Sequence, residues 1–269
     1  TSAQAETKVE AQTEVKSEES EVIMKTGSLV FMNSAMSSNI NSSAAGNGYP
    51  MQYYDDFNSM ILALKSDKID SIYMLPKVVA KYIVNNVDGV MAVEPLFYSG
   101  TIGLCLGTLK DNTETYSLLN DEIDKLLNNG TINKLQEDYL DKYLRTKEEP
   151  KPIDMPKIEG AKTLKIAVTG DLPPIDFVAA DGRPAGFNVV LLSEISKIAN
   201  VNIELVQINS GARLTALKTN AIDAVFYTSQ CKFDNKKYEV VGCLFRRDEE
   251  MSLLFGGEFL IMKRRKCKK

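Results

Sequence analysis

The chain has 269 residues with 32 basic and 36 acidic side chains, a formal net charge of -4, and no histidine. That balance supplies no overall positive field for nucleic acid, and the lack of His removes the commonest general base and metal ligand, so triads and zinc sites fit poorly while carboxylate chemistry stays open. No apolar run reaches the ~20 residues that span a bilayer, the four cysteines show no CxxC spacing, and the length suits one two-lobed domain or two small ones.

Residues 1–21 are polar, rich in Ala, Glu, Lys, Thr and Ser. Such a segment cannot bury enough surface to offset its ordering entropy, which predicts a disordered tether, the alternative being a partly helical tail. An apolar β segment follows around Leu29 to Met32, and Ser34, Ser37 and Ser38 then open a helix, either as ordinary caps or with N–H groups facing a ligand. Phe57, Met60, Ile61 and Leu64 have helical spacing, Ile69 to Met74 reads as a buried strand, and Lys77 to Val84 resumes a helix. Strands are expected at Val90 to Val93 and Ile102 to Leu106, separated by a loop carrying Pro95, Phe97 and Tyr98.

Thr113 to Leu144 is helical, with Gly130 expected as a C′ residue and Thr131 as the next N-cap. Thr146 to Lys162, with Pro150, Pro152 and Pro156 among alternating charges, reads as a semi-extended linker. From Leu164 to Asp223 the pattern is strand, loop with Pro173-Pro174, tight turn at Asp181-Gly182, amphipathic helix entered through Gly186-Phe187-Asn188, strand, short helix opened by Arg213, and strand. Met251 to Phe255 is expected as a last strand, ahead of a basic run from Lys263 to Lys269 that reads as a solvated terminus rather than a lipid or RNA contact. Cys231 and Cys243 flank one loop and either pair in an oxidising compartment or stay free thiols.

The stretch Leu164 to Asp223 resembles the opening lobe of the family 3 extracellular solute-binding proteins, the amino-acid receptors of bacterial import systems. Ala63, Leu64, Lys65, Lys68 and Asp70 resemble a line of the family's second lobe, and Leu118 to Leu144 resembles its closing helices. The resemblance implies an α/β, two-lobed periplasmic-binding-protein type II fold, each lobe a mixed sheet flanked by helices and joined by hinge strands. The pieces stand in rotated order: 1–21 a tether, 22–98 the second lobe, 99–145 the closing strand and helices of the first lobe, 146–162 a linker, 163–245 the first lobe, and 246–269 a hinge strand and basic tail. A circularly permuted single receptor gives that order, the competing account being a truncated tandem of two receptors.

An amino-acid receptor needs a cation for the carboxylate, an acid for the ammonium and an apolar or aromatic wall. At the positions where the resemblance places the aromatics stand Leu172 and Ile175; the arginine and threonine positions fall on Asn235 and Lys232; the acid position falls on Leu75. Arg213 or Lys232 is then the substitute cation, although Arg213 also reads as a solvated helix start. Asp171, Tyr227, Thr228 and Ser229 remain from the first lobe, and Ser34, Ser37 and Tyr98 from the second. The resemblance implies an extracellular, non-enzymatic, monomeric receptor without cofactor, tethered through its N-terminal segment and serving the permease of an ABC importer or a membrane sensor. Rival readings are an interaction module with weak or no ligand binding, and a dehydratase acting on cyclohexadienyl substrates with Asp171 or Glu94 as its acid.

Overall fold

A computed structural model describes residues 24–29, 51–93, 104–229, 238–243 and 259–263. In chain order the elements are β1 (Thr26–Leu29), β2 (Met51–Tyr54), α1 (Phe57–Lys65), β3 (Ser71–Leu75), α2 (Lys77–Asn86), β4 (Val90–Val93) and β5 (Leu104–Leu109). There follow α3 (Thr113–Asn128), α4 (Thr131–Gln136), a π-helical turn over Glu137–Asp141 and α5 (Lys142–Thr146). The last part holds β6 (Thr163–Val168), the short strands β7 (Asp171–Leu172), β8 (Asp176–Val178) and β9 (Pro184–Ala185), α6 (Phe187–Ala199), β10 (Asn202–Gln207), α7 (Arg213–Lys218), β11 (Ala224–Ser229), β12 (Tyr238–Cys243) and β13 (Phe259–Lys263).

Two five-stranded mixed sheets result, in the orders β2-β1-β3-β13-β4 and β10-β6-β11-β5-β12. They share one plan. In each, three strands run parallel, and the fourth position is filled by an antiparallel strand that arrives from the other lobe: β13 in the second lobe, β5 in the first. Each lobe therefore completes its sheet with chain that has just left its partner. The order accounts for the buried faces, since β13 carries Ile261 and β5 carries Leu106, both with no exposure, into sheet centres.

A local repeat underlies this plan. Ala63-Leu64-Lys65-Ser66-Asp67-Lys68-Ile69-Asp70 and Ala216-Leu217-Lys218-Thr219-Asn220-Ala221-Ile222-Asp223 end α1 and α7 in the same way. Asp67 and Asn220 both take positive φ, 60° and 55°, where Asp and Asn are among the tolerated residues. Lys68 N–H donates to Ala63 O at 3.0 Å, as Ala221 N–H does to Ala216 O at 2.9 Å. The closing aspartate then pins the first strand of its lobe: Asp70 accepts from Lys25 N–H at 2.9 Å, and Asp223 from Lys165 N–H at 2.7 Å. In return the Asp70 and Asp223 N–H groups each donate to the lysine carbonyl at 2.8 Å. Register is thus set by the same side chain in both lobes.

The expected helices at Phe57 and Lys77 are present. α1 is capped by Asp56, which accepts from Ser59 N–H at 2.7 Å, and it buries Phe57, Met60, Ala63 and Leu64. The expected strand Val90 to Val93 is β4. Gly130 is the expected C′ residue of α3, one past its C-cap Asn129 and at φ 78°, and it is also the N-cap of α4, so Thr131 is the first helical residue rather than the cap; the Thr131 N–H is taken by Asn129 Oδ1 at 2.9 Å. Beyond α4 the π turn changes the phase of the apolar stripe and seats Leu140 and Tyr143 in the core. Tyr143 also stacks obliquely on Tyr82 of α2, with 6.1 Å between ring centres, which ties the closing helices to the second lobe.

The proline-rich stretch is docked rather than free. Asn202 at the start of β10 accepts from Ile158 N–H at 2.8 Å and donates to Ile158 O at 2.9 Å, while Ile153 N–H donates to Pro184 O at 3.0 Å. The expected strand Met251 to Phe255 lies outside the described residues, and the strand that enters the second lobe is β13; Lys263, first of the basic run, ends it. Cys231 also lies outside them, whereas Cys243 stands opposite Cys105 in the β12/β5 register, after an irregularity beyond Val241.

Gly186 enters α6 at φ 109°, and a Cβ there would lie 2.4 Å from the Ile175 carbonyl oxygen. Backbone cannot yield as a flexible side chain does. Gly186→Ala is therefore expected to cost about 1–3 kcal/mol, read as a lowered urea midpoint; an unchanged midpoint would show that the loop before α6 yields freely.

Candidate functional site

The two lobes meet through loops that correspond under the local repeat. In the second lobe this is Asp55-Asp56 before α1, and in the first it is Asn209 to Ala212 before α7. A Cβ on Gly211 would stand 3.3 Å from Asp55 Oδ1, so the loops are in close approach. Between them is a cavity of about 10 Å³, lined by Leu29, Asp55, Asp56 and Phe57 from one lobe and by Thr169, Asp171, Ile208, Asn209 and Arg213 from the other. That is room for about one water.

Asp171 projects into this junction from β7. Its Oδ2 accepts from the N–H groups of Phe57 at 2.8 Å and Asn58 at 3.3 Å, across the lobe boundary. Burial pushes its carboxyl up to about 6; the Phe57 and Asn58 N–H groups oppose this, and the Asp56 and Asp176 carboxylates add to it. Beneath Asp171, Asp176 is fully buried. Its carboxylate accepts from Thr169 Oγ1, from Gly170 N–H at 2.6 Å and from Asn188 Nδ2 at 2.7 Å. Burial raises its proton affinity against these donors and the nearby Arg213 charge. This network fixes the hairpin that presents Asp171, whose strand partner is Phe177.

Arg213 is 5% exposed, which replaces the expectation of a solvated helix start with a buried cation in the cleft wall. Its Nε donates to Ile208 O at 2.9 Å, which holds the side chain over the loop. Under the repeat Arg213 occupies the position of Met60, a core residue of the other lobe. A guanidinium thus stands where the scaffold accepts a methionine, and the cost of burying charge makes that substitution informative about the site.

The other expected ligand positions are distributed differently. Ile175 and Leu75 are 0% and 1% exposed and belong to the hydrophobic core, and neither is among the residues that line the junction. Tyr227, Thr228 and Ser229 form the end of β11, with Thr228 and Ser229 opposite Cys105 and Leu104 of β5. Ser34, Ser37, Tyr98, Glu94, Lys232 and Asn235 lie outside the described residues. Asp55, Asp56, Thr169 and Asn209 are not among the sequence expectations; the repeat, which makes the loops before α1 and α7 equivalent, is the signal that could have found Asp55, Asp56 and Asn209. A larger hollow of about 450 Å³ lies elsewhere, between the docked linker and β10, and receives nothing from the second lobe. Among the described residues no group of three or more His, Cys, Asp or Glu side chains is placed to hold a metal ion, and no helix is long and apolar enough to cross a membrane.

Residues 164–237 match the family model of the bacterial extracellular solute-binding proteins, family 3. The match covers under a third of the chain. It is the stretch that supplies Asp171, Asp176 and Arg213. Among solved structures, the ligand-binding component of an ABC-type import system from Staphylococcus aureus, with zinc bound, is similar at 11% identity and a TM-score of 0.47, over 90% of this chain and 66% of that one. An ancestral arginine-binding protein bound to arginine gives 15% identity and 0.40, over 90% and 84%. A nutrient-binding protein from Burkholderia cenocepacia bound to methionine gives 10% and 0.41, over 90% and 85%. No curated protein matches the sequence. With two mixed sheets exchanging one strand each, the chain has the two-lobed α/β architecture expected from the family 3 resemblance.

Proposed function

We propose that the protein is a solute receptor that closes its lobes on a small zwitterionic, amino-acid-like molecule and presents the closed form to the permease of an ABC importer. The family match over the first lobe supports the receptor role. The observation that carries the ligand class is the junction itself, where a buried guanidinium, Arg213, lies in one cavity wall with the carboxylates of Asp55, Asp56 and Asp171. A zwitterion needs both signs at close quarters, and a bidentate guanidinium suits its carboxylate. The cavity is far below the ~300 Å³ or more of a small-molecule pocket, so capture requires the lobes to separate and close again about their crossing strands.

The remaining parts fit the same role. Shared sheet plan and exchanged strands support a single receptor in permuted order, with residues 146–162 joining the closing helices to the first lobe. An extracellular location, a tether through residues 1–21 and a monomeric state complete the proposal.

A thermal-shift screen against amino acids, polyamines and small carboxylates tests it. A ligand at about a hundredfold its dissociation constant adds ~2.7 kcal/mol of stability, and Arg213→Met, which restores the residue type of the other lobe, is expected to abolish that shift while the protein stays folded. No shift with any compound would sink the receptor reading. Product formed from prephenate or arogenate would replace it with the dehydratase.

A further inference from the structure

The first turn of a helix leaves N–H groups without intrahelical partners. In α1 two of them, on Phe57 and Asn58, are taken by Asp171 of the opposite lobe, and a third, on Ser59, by Asp56 of its own. The two carboxylates come from different lobes onto one turn. Next to them, Asp55 meets the loop around Gly211, and the junction leaves about 10 Å³. This contact is made by chain atoms alone. A side-chain oxygen from the opposite lobe satisfies N–H groups that the helix itself leaves open, so the closed arrangement has its own source of attraction.

We propose that Asp171 is an interlobe latch, holding the cleft shut by accepting hydrogen bonds from the first turn of α1, so that a solute gains access only after this contact opens. What the latch regulates rests on the receptor reading; whether it closes the lobes does not. The charged groups facing Asp171 are Asp55 and Asp56 from the loop before α1, Asp176 from β8 and Arg213 from α7. Three of the four are acidic and oppose a further negative charge on Asp171.

The sign of the pH response follows. With the lobes closed, burial holds the Asp171 carboxyl near 6 against an ordinary 3.8; with the lobes apart it is solvated and returns toward that ordinary value. The closed form therefore binds the proton more tightly. Below about pH 4 the balance is flat; it moves toward the open form as pH rises from about 4 through about 6, and flattens again above. The total change is on the order of a hundredfold in the open-to-closed ratio.

Small-angle X-ray scattering on the full chain, dialysed exhaustively and without added solute, reads about a tenfold part of this change between pH 5 and pH 7.5. The wild type is expected to show the smaller radius of gyration at pH 5. Asp171→Asn, which keeps an uncharged acceptor, should stay compact at both values, and Asp171→Ala should be expanded at both, with circular dichroism checking that the variants are folded. Should the alanine variant not fold, the asparagine variant against wild type carries the comparison. An alanine variant as compact as wild type at pH 5 overturns the latch, and a wild type of one radius at both pH values overturns its release by ionisation. The solute screen is independent: a flat screen with an intact pH response sinks the receptor reading and leaves the latch.

Discussion

Removal of residues 259–269 is expected to unfold the second lobe while the first keeps its sheet. β13 stands fourth in the order β2-β1-β3-β13-β4, so both β3 and β4 lose a partner at once. Phe259 pairs with Leu75 and Ile261 with Ile72 on one side, and Leu260 to Lys263 pair with Val93 to Val90 on the other. Each backbone hydrogen bond lost from a ladder costs about 0.5–1.5 kcal/mol net, and exposing Ile261, fully buried here, adds ~1.5–3 kcal/mol. The sum is on the order of 5–10 kcal/mol, comparable with the entire ~5–15 kcal/mol stability of a domain. Hydrogen exchange checks it: amides of Ile72 and Met91 should lose protection in the shortened chain, and those of Ile166 and Leu205 should keep it. A peptide spanning Phe259 to Lys263 added in trans should restore part of the loss. If the two halves belonged to different receptors, as a truncated tandem requires, the second lobe would not depend on this strand, and unchanged protection at Ile72 and Met91 would decide for that account.

The dependence also shows which parts of the fold were legible in the sequence. Helical spacing at Phe57, Met60 and Leu64 located α1 because those positions are buried together on one face. Val90 to Val93 was legible as a short β-rich run. What periodicity does not carry is which strand completes which sheet. β13 is central through pairing made across some 190 residues of chain, and Phe259 to Lys263 merges in sequence with the basic run, so its apolar core looks like part of a tail. The docked linker was hidden for a related reason. Three prolines and alternating charge do predict an extended chain, but the anchors are remote in sequence: the Asn202 side chain, satisfying Ile158 in both directions, and the Pro184 carbonyl, accepting from Ile153 N–H.

The site divides in the same way. Asp171 was legible from its place ahead of Pro173-Pro174, and the structure puts it at the junction. Ile175 and Leu75 were read as cleft positions from where aromatic and acidic groups stand in the family 3 resemblance. Apolar residues at such positions gain more by turning into the core, where both lie. Arg213 was legible as a cation but not as a buried one. Its burial follows from helix phase, since α7 repeats α1 and the phase of Met60 points inward. Comparing Ala63 to Asp70 with Ala216 to Asp223 exposes that equivalence from sequence alone, whereas the pairing of Asp70 and Asp223 with the first strands is seen only in the structure.

Asp176→Ala is expected to be the most costly single side-chain change in the first lobe, about 3–5 kcal/mol. The substitution strands three donors, Thr169 Oγ1, Gly170 N–H and Asn188 Nδ2, in a position with no exposure. Each stranded donor costs about 1–3 kcal/mol in desolvation, and the loss is limited only by how far water reaches the space vacated. Asp176→Asn separates charge from hydrogen bonding. Its remaining carbonyl still accepts from Thr169 and Gly170, and Asn188 can rotate its amide to accept from the new one, so the expected cost falls to about 1–2 kcal/mol. Urea denaturation distinguishes the two, and an alanine variant within ~1 kcal/mol of wild type would show that water replaces the carboxylate at little cost. The consequence extends to the junction because Leu172 is the strand partner of Asp176 and Asp171 is its neighbour in β7. A hairpin no longer held at Asp176 cannot aim the Asp171 carboxylate at Phe57 and Asn58, so Asp176→Ala should also lose the compaction at pH 5 that Asp176→Asn retains. Equal radii for the two variants at pH 5 would separate the buried network from the latch and leave Asp171 positioned by the Pro173-Pro174 loop alone.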